Sequence, residues 1–183
     1  MDRNTATAAP AFGKDPCSRC AEISGTCCSL SPGQEEFCFP LSDSERADME
    51  AAGAGPDMFF TQVNTPNFLD NLCRLFPGEE ARLGELFPPG GAHSRLAVSL
   101  TGACLLLGPE GCSLPREARP YYCRLFPFWI RGGRQMYFES KECQALRESR
   151  GGAGLLKRLG MTETGVIELY QRLREAWGLT ERR

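Results

Sequence analysis

Residues 17–28 read Cys17-Ser18-Arg19-Cys20-Ala21-Glu22-Ile23-Ser24-Gly25-Thr26-Cys27-Cys28, and this stretch decides what kind of interior the chain can have. Cys38 follows, so the segment from Cys17 to Pro40 carries five cysteines among Ser, Gly and Pro with no apolar period. A segment of that composition is expected to be a loop wrapped around something other than a hydrophobic core. The two-residue gap between Cys17 and Cys20 lets both thiolates converge on one ion or cluster from a single turn. A second group, Cys104, Cys112, Cys123 and Cys143, lies far along the chain, with Cys73 alone between the two. Ligands from such distant segments would close a coordination shell and staple the fold.

Composition bounds the alternatives. The chain has 183 residues, 42% apolar and 24% charged, with 20 Gly, 13 Pro and 10 Cys, which is a globular composition with a large share of loop. The 21 Lys and Arg balance 23 Asp and Glu to a net charge of -2, and no block of five like charges occurs. That balance argues against nucleic acid or a membrane surface as a partner. The longest apolar runs, such as Ala103 to Leu107, are too short to span a bilayer. Met1 to Thr7 lacks the basic start and apolar stretch of a secretory signal, so the expected location is the cytoplasm. A reducing compartment makes clustered thiols metal ligands or catalysts before it makes them disulfides. Each cysteine taken singly also reads as a small buried hydrophobe, a reading that fails for ten clustered ones. The single histidine, His93, rules out sites built from two or three imidazoles.

The expected fold class is α+β: a small loop-rich cysteine framework organised around metal, with two short β-hairpins and three or four helices. Residues 1–15 read as a flexible tail, 16–148 as the cysteine-cluster domain, and 149–183 as a helical segment packed on it. Ser42-Asp43-Ser44-Glu45 has the capping-box pattern for a helix over about 43–52, with Gly53 at its end. Thr65-Pro66 starts a helix carrying Phe68, Leu69, Leu72, Leu75 and Phe76 at helical spacing, and a short helix follows from Glu79 to about Leu86. Leu96, Val98 and Leu100 alternate ahead of Ala103 to Leu107, the pattern of one hairpin. Phe126 to Ile130 and Gln135 to Phe138 flank Arg131-Gly132-Gly133-Arg134, the pattern of another. Val166, Leu169, Tyr170, Leu173, Ala176 and Trp177 form the stripe of a C-terminal helix capped by Thr162 or Thr164.

The second cysteine group adds Cys112-Ser113-Leu114 and Arg119-Pro120-Tyr121-Tyr122-Cys123-Arg124-Leu125-Phe126-Pro127-Phe128. Over about residues 17–143 the chain resembles the bacterial cysteine-cluster proteins described as zinc- or iron-chelating domains. The resemblance implies Cys17, Cys20, Cys27, Cys28, Cys104, Cys112, Cys123 and Cys143 as ligands, enough for two four-thiolate sites or one multinuclear site. The family has three residues before its double cysteine, whereas six separate Cys20 from Cys27 here. Arg119 and Arg124 flank Cys123, and either guanidinium would offset the negative charge of a buried thiolate site. The five residues Cys73-Arg74-Leu75-Phe76-Pro77 repeat as Cys123-Arg124-Leu125-Phe126-Pro127, but Cys73 sits in a helix pattern that explains it as core, and Cys38 is the stronger additional candidate.

The expected cofactor is an iron–sulfur cluster or Zn2+, since a soft thiolate set suits both and excludes calcium and magnesium. No glycine-rich nucleotide loop and no Cys-x3-Cys-x2-Cys radical motif occurs. Metal binding in a structural or carrier role is therefore the first reading. A redox or methyl-transfer enzyme is the second, through resemblance to the cysteine-cluster portion of flagellin lysine methylases. An adaptor that docks a protein partner on its C-terminal helix is the third.

Overall fold

The computed structural model describes residues 16–22 and 27–179, so the expected tail over 1–15 lies outside the described residues. The chain folds as a small α+β protein. The four helices legible in the sequence are α2 (Asp43–Ala51), α3 (Pro66–Leu75), α4 (Glu80–Leu86) and α8 (Glu163–Ala176). Four more join them among the described residues: α1 (Pro16–Cys20), α5 (Tyr121–Leu125), α6 (Gln144–Arg147) and α7 (Gly151–Arg158). Their caps follow the sequence. Ser42 Oγ accepts from the Glu45 amide while Glu45 reaches back to Ser42, Thr65 accepts from Phe68, and Thr162 accepts from Gly165.

One three-stranded antiparallel sheet holds the chain's middle, with β3 (Ala92–Leu96) between β1 (Pro40–Leu41) and β2 (Phe59–Val63). Two further pairs are β4 (Leu107–Gly108) with β5 (Gly111–Cys112), and β6 (Phe128–Arg131) with β7 (Arg134–Tyr137). The β6–β7 hairpin turns through Gly132 and Gly133 as the sequence predicts. The other expected hairpin needs correction. Leu96 belongs to β3 and pairs with Phe59, and only the single bridge Val98–Cys104 joins the two arms. Leu100, which alternation would place inward, is fully exposed at the tip of a tight turn. Ser99 holds that turn, its Oγ accepting from the Thr101 and Ala103 amides at 3.3 Å each.

The larger core runs from α3 to the C-terminal helices. Phe68, Leu72 and Phe76 of the α3 stripe meet Leu125, Phe128, Trp129, Val166, Leu173 and Leu179, all 2% exposed or less. Each such side chain contributes roughly 1.5–3 kcal/mol of burial. Trp129 satisfies its indole N–H on the Leu75 carbonyl at 3.1 Å. A smaller core of Leu41, Met49, Ala54, Leu106 and Leu114 sits beside the cysteine loops, with Cys104 and Cys112 packed against it. No helix among the described residues is long and apolar enough to cross a membrane.

Candidate thiolate site

Backbone pairing brings the two cysteine groups together. The Cys104 amide donates to the Cys28 carbonyl and the Leu30 amide to the Gly102 carbonyl, each at 2.8 Å, and Ser29 bridges to Ala103. The double cysteine therefore lies alongside the turn carrying Cys104. Gly102 makes this approach feasible: its φ is +83°, and a Cβ there would come within 1.9 Å of the Leu30 carbonyl oxygen. Gly111, at φ +101°, plays a similar part, since its Cβ position faces Ser18 Cα at 3.4 Å and the Cys17 carbonyl at 3.6 Å. That contact seats α1, with Cys17 and Cys20, against the strand bearing Cys112. On its other side α1 meets α6, where Arg19 pairs with Glu148 at 2.6 Å and Cys20 Sγ lies 4.0 Å from the Glu142 carbonyl beside Cys143.

Cys123 arrives on α5, which Glu45 anchors by accepting the Tyr121 amide at 2.8 Å. The adjacent Tyr122 ring stacks on Phe39 with centroids 4.2 Å apart, joining the Cys123 helix to the residue after Cys38. Cys123 is accessible at the surface, yet protein crowds it enough that desolvation leads the causes raising its pKa.

The electrostatics report the same convergence. Burial is the first cause raising the pKa of Cys20, Cys104, Cys112 and Cys123, and Cys28 adds like-charge repulsion at each of them and at Cys27. Cys17 and Cys123 act on Cys27, Cys143 acts on Cys20, and Cys38 acts on Cys104 and Cys123. A hydrogen bond with Cys28 is the largest cause at Cys27. At Cys104 burial comes first and, with its neighbours' charges, pushes the thiol up to about 12. Each of the eight cysteines implied by the resemblance thus lies within reach of the charge of at least one other, and Cys38 within reach of Cys104 and Cys123. Cys73 does not: burial raises its pKa, followed by Glu80 and Asp70, and its side chain packs against the larger core.

Other groups work in the opposite direction. Burial raises the pKa of Cys20, Cys38, Cys104 and Cys112, and the backbone amides of Gln144, Phe39, Leu106 and Leu114 respectively pull against that rise. Amides aimed at sulfur favour the thiolate and tune whatever it binds. Arg119 donates to the Leu114 carbonyl at 3.0 Å and to the Cys112 carbonyl at 3.4 Å, and its charge lowers the Cys112 pKa. Arg124 is placed differently from Arg119. It donates to the Glu117 carbonyl at 3.1 Å, lies over the Tyr121 ring, and lines a surface hollow of about 280 Å³ with Arg116 and Arg172. Its electrostatic neighbours are Tyr121, Arg172, Arg116 and Glu117, with no thiol among them. Neighbouring positions of a helix face different ways, which separates Arg124 from Cys123 despite their adjacency.

His93 is equally removed in its chemistry. It is buried, its Nδ1 pairs with Asn64 Oδ1 at 2.7 Å, and its ring stacks on Phe68 at 4.0 Å. Among the described residues, no three His, Cys, Asp or Glu side chains close on a common point as a ready ion site. The donors nevertheless suit a thiophilic metal: sulfur from separate segments, amides directed at it, and mutual repulsion between thiolates that a cation relieves. Comparison with family models, with curated proteins and with solved structures returns no match to this chain.

Proposed function

We propose that the chain is a metal–thiolate protein, holding zinc or an iron–sulfur cluster through Cys17, Cys20, Cys27, Cys28, Cys104, Cys112, Cys123 and Cys143. The observation that carries this reading is the backbone pairing that sets the double cysteine beside the Cys104 turn and the close contact that seats α1, with Cys17 and Cys20, against the Cys112 strand. Thiols that oppose one another's ionisation in the metal-free chain release their protons when a cation supplies the missing charge, so binding free energy becomes folding free energy. Arg119 offsets part of the remaining negative charge beside Cys112.

Resemblance to the cysteine-cluster family supports the same ligand set, and the thiol chemistry suits a reducing compartment, the cytoplasm. Zinc would act by fastening the loops, whereas an iron–sulfur cluster would add electron transfer. The role is structural or that of a carrier. Protein purified without air, analysed for metal and acid-labile sulfide with its absorption spectrum, tests this reading. Iron with sulfide and visible absorption, or stoichiometric zinc without colour, supports it and names the metal. Protein that holds neither, before or after reconstitution under reducing conditions, overturns it.

A further inference from the structure

Strand β2 forms one edge of the three-stranded sheet, and β3 is its only strand partner among the described residues. Hydrogen bonds at its two ends fix which backbone groups turn towards β3. The Ala97 amide donates to the Met58 carbonyl at 2.9 Å, and the Asn64 amide donates to the Gly91 carbonyl at 2.8 Å. Bonded positions alternate along an antiparallel ladder, so Met58, Phe60, Gln62 and Asn64 bond inward to β3. The amides and carbonyls of Thr61 and Val63, with the Phe59 carbonyl, therefore point out from the sheet. The Phe59 amide donates to the Pro56 carbonyl instead. None of the outward groups has a backbone partner among the described residues.

Sheet edges are commonly protected by shortness, charge, proline or a bulge. The opposite edge, β1, is two residues long. Strand β2 has five, Phe59-Phe60-Thr61-Gln62-Val63, with neither charge nor proline, and leaves Phe60 51% and Val63 57% exposed. It is also ordered in advance. Buried Arg95 donates to Gln62 Oε1 at 3.1 Å and lies 4.4 Å over the Phe60 ring, so little side-chain freedom is left to lose when another strand arrives.

The edge is complementary to itself. A two-fold axis at Thr61 sets Thr61 opposite Thr61, Phe59 opposite Val63 and Phe60 opposite Gln62 of the second copy. In that register the Thr61 amides and carbonyls bond each other, and each Val63 amide meets the free Phe59 carbonyl of the other copy. Threonine pairs and aromatic against β-branched pairs are favourable cross-strand neighbours, and no like charges meet.

We infer that β2 is a self-association edge, pairing antiparallel about Thr61 with β2 of a second copy so that two three-stranded sheets become one. The edge contains none of the proposed metal ligands, so its pairing and the thiolate site stand or fail separately.

Sedimentation of the full chain over about a hundredfold range of concentration reads the assembly, which rises with protomer concentration. Wild type should be dimeric at the upper end, and in the dimer the Thr61 and Val63 amides should exchange hydrogen at least tenfold more slowly than in an unstructured chain. Thr61→Lys and Thr61→Glu each set like charges face to face on the axis and should stay monomeric, whereas an equal mixture of the two should restore the dimer. Thr61→Pro removes only an outward amide, so it should abolish the dimer while circular dichroism keeps the wild-type signal. A wild-type chain that is monomeric at every concentration overturns the inference, even where the edge captures a foreign strand. A dimer that Thr61→Lys leaves intact overturns it too, as does a mixture of the two charged variants that stays monomeric. Exchange at the unstructured rate for both amides in the wild-type dimer also overturns it, and that measurement decides the question where a variant fails to fold.

Discussion

Replacing Gly102 by alanine tests whether the two cysteine groups are held together by the backbone pairing described above. The residue has φ +83°, and the added methyl would meet the Leu30 carbonyl oxygen at 1.9 Å and its carbon at 2.9 Å. A left-handed backbone costs a non-glycine residue about 1–2 kcal/mol. The overlap is with backbone, so it is relieved only by parting the two segments. That movement loosens the Leu30 to Gly102 bond and the Cys104 to Cys28 bond, both 2.8 Å, at about 0.5–1.5 kcal/mol each. The expected loss is about 2–5 kcal/mol, a large part of the roughly 5–15 kcal/mol of a typical domain. Gly33→Ala is the matched control, because its φ is +86° and nothing lies within 4 Å of the new Cβ. It should show the backbone cost alone, about 1–2 kcal/mol. Denaturant unfolding of both variants, with metal retention measured alongside, reads the difference. If Gly102→Ala loses no more stability than Gly33→Ala and keeps its metal, the account of how these segments meet is wrong.

Three further outcomes follow from the same geometry. Burial first, and then Arg95, lowers the His93 pKa to about 4 from its ordinary 6.5. The unfolded chain therefore takes up a proton that the folded chain refuses, and stability present above pH 6.5 is lost as pH falls towards 4, by about 3 kcal/mol. As the only histidine, it can be titrated directly by NMR, and a midpoint near 6.5 would contradict its buried placement. Glu45→Gln leaves a donor unmet among the Ser42 and Tyr121 groups bound by the carboxylate, costing about 1–3 kcal/mol in thermal or denaturant unfolding; a loss below about 0.5 kcal/mol would refute its anchoring of α5. Cys73→Ser should leave metal content unchanged, whereas Cys123→Ser should reduce it; equal content in the two proteins would remove Cys123 from the ligand set.

The helices that could be read from sequence are those whose ends carry their own chemistry, such as Ser42 with Glu45, Thr65 with Pro66, and Thr162. Gly132-Gly133 marked the β6–β7 hairpin for the same reason, a local turn requirement. Strand β3 gave no such signal, because its buried positions are His93 and Arg95, so the inward face does not read as apolar. Its neighbour β2 is largely exposed at the sheet edge and shows no alternation to detect. The short helices α1 and α6 hold each other in place through Arg19 and Glu148, a contact between residues 129 apart. Helices of that length do not form on local propensity, so no local pattern announces them.

At the candidate site, spacing and resemblance pointed to cysteines on segments that the backbone sets side by side at Cys28 and Cys104, while no three of their side chains meet at a common point among the described residues. They did not rank the arginines, since Arg124 and Arg119 look alike in sequence while only Arg119 reaches the Cys112 loop. Arg95 was equally invisible. Its burial depends on a sheet register that sets Pro40 opposite it.

X-ray absorption at the edge of the bound metal tests the central claim most directly, because it reads the atoms around that metal. The account predicts a shell of sulfur alone, at about 2.3 Å if the metal is zinc. A shell dominated by nitrogen or oxygen would contradict it.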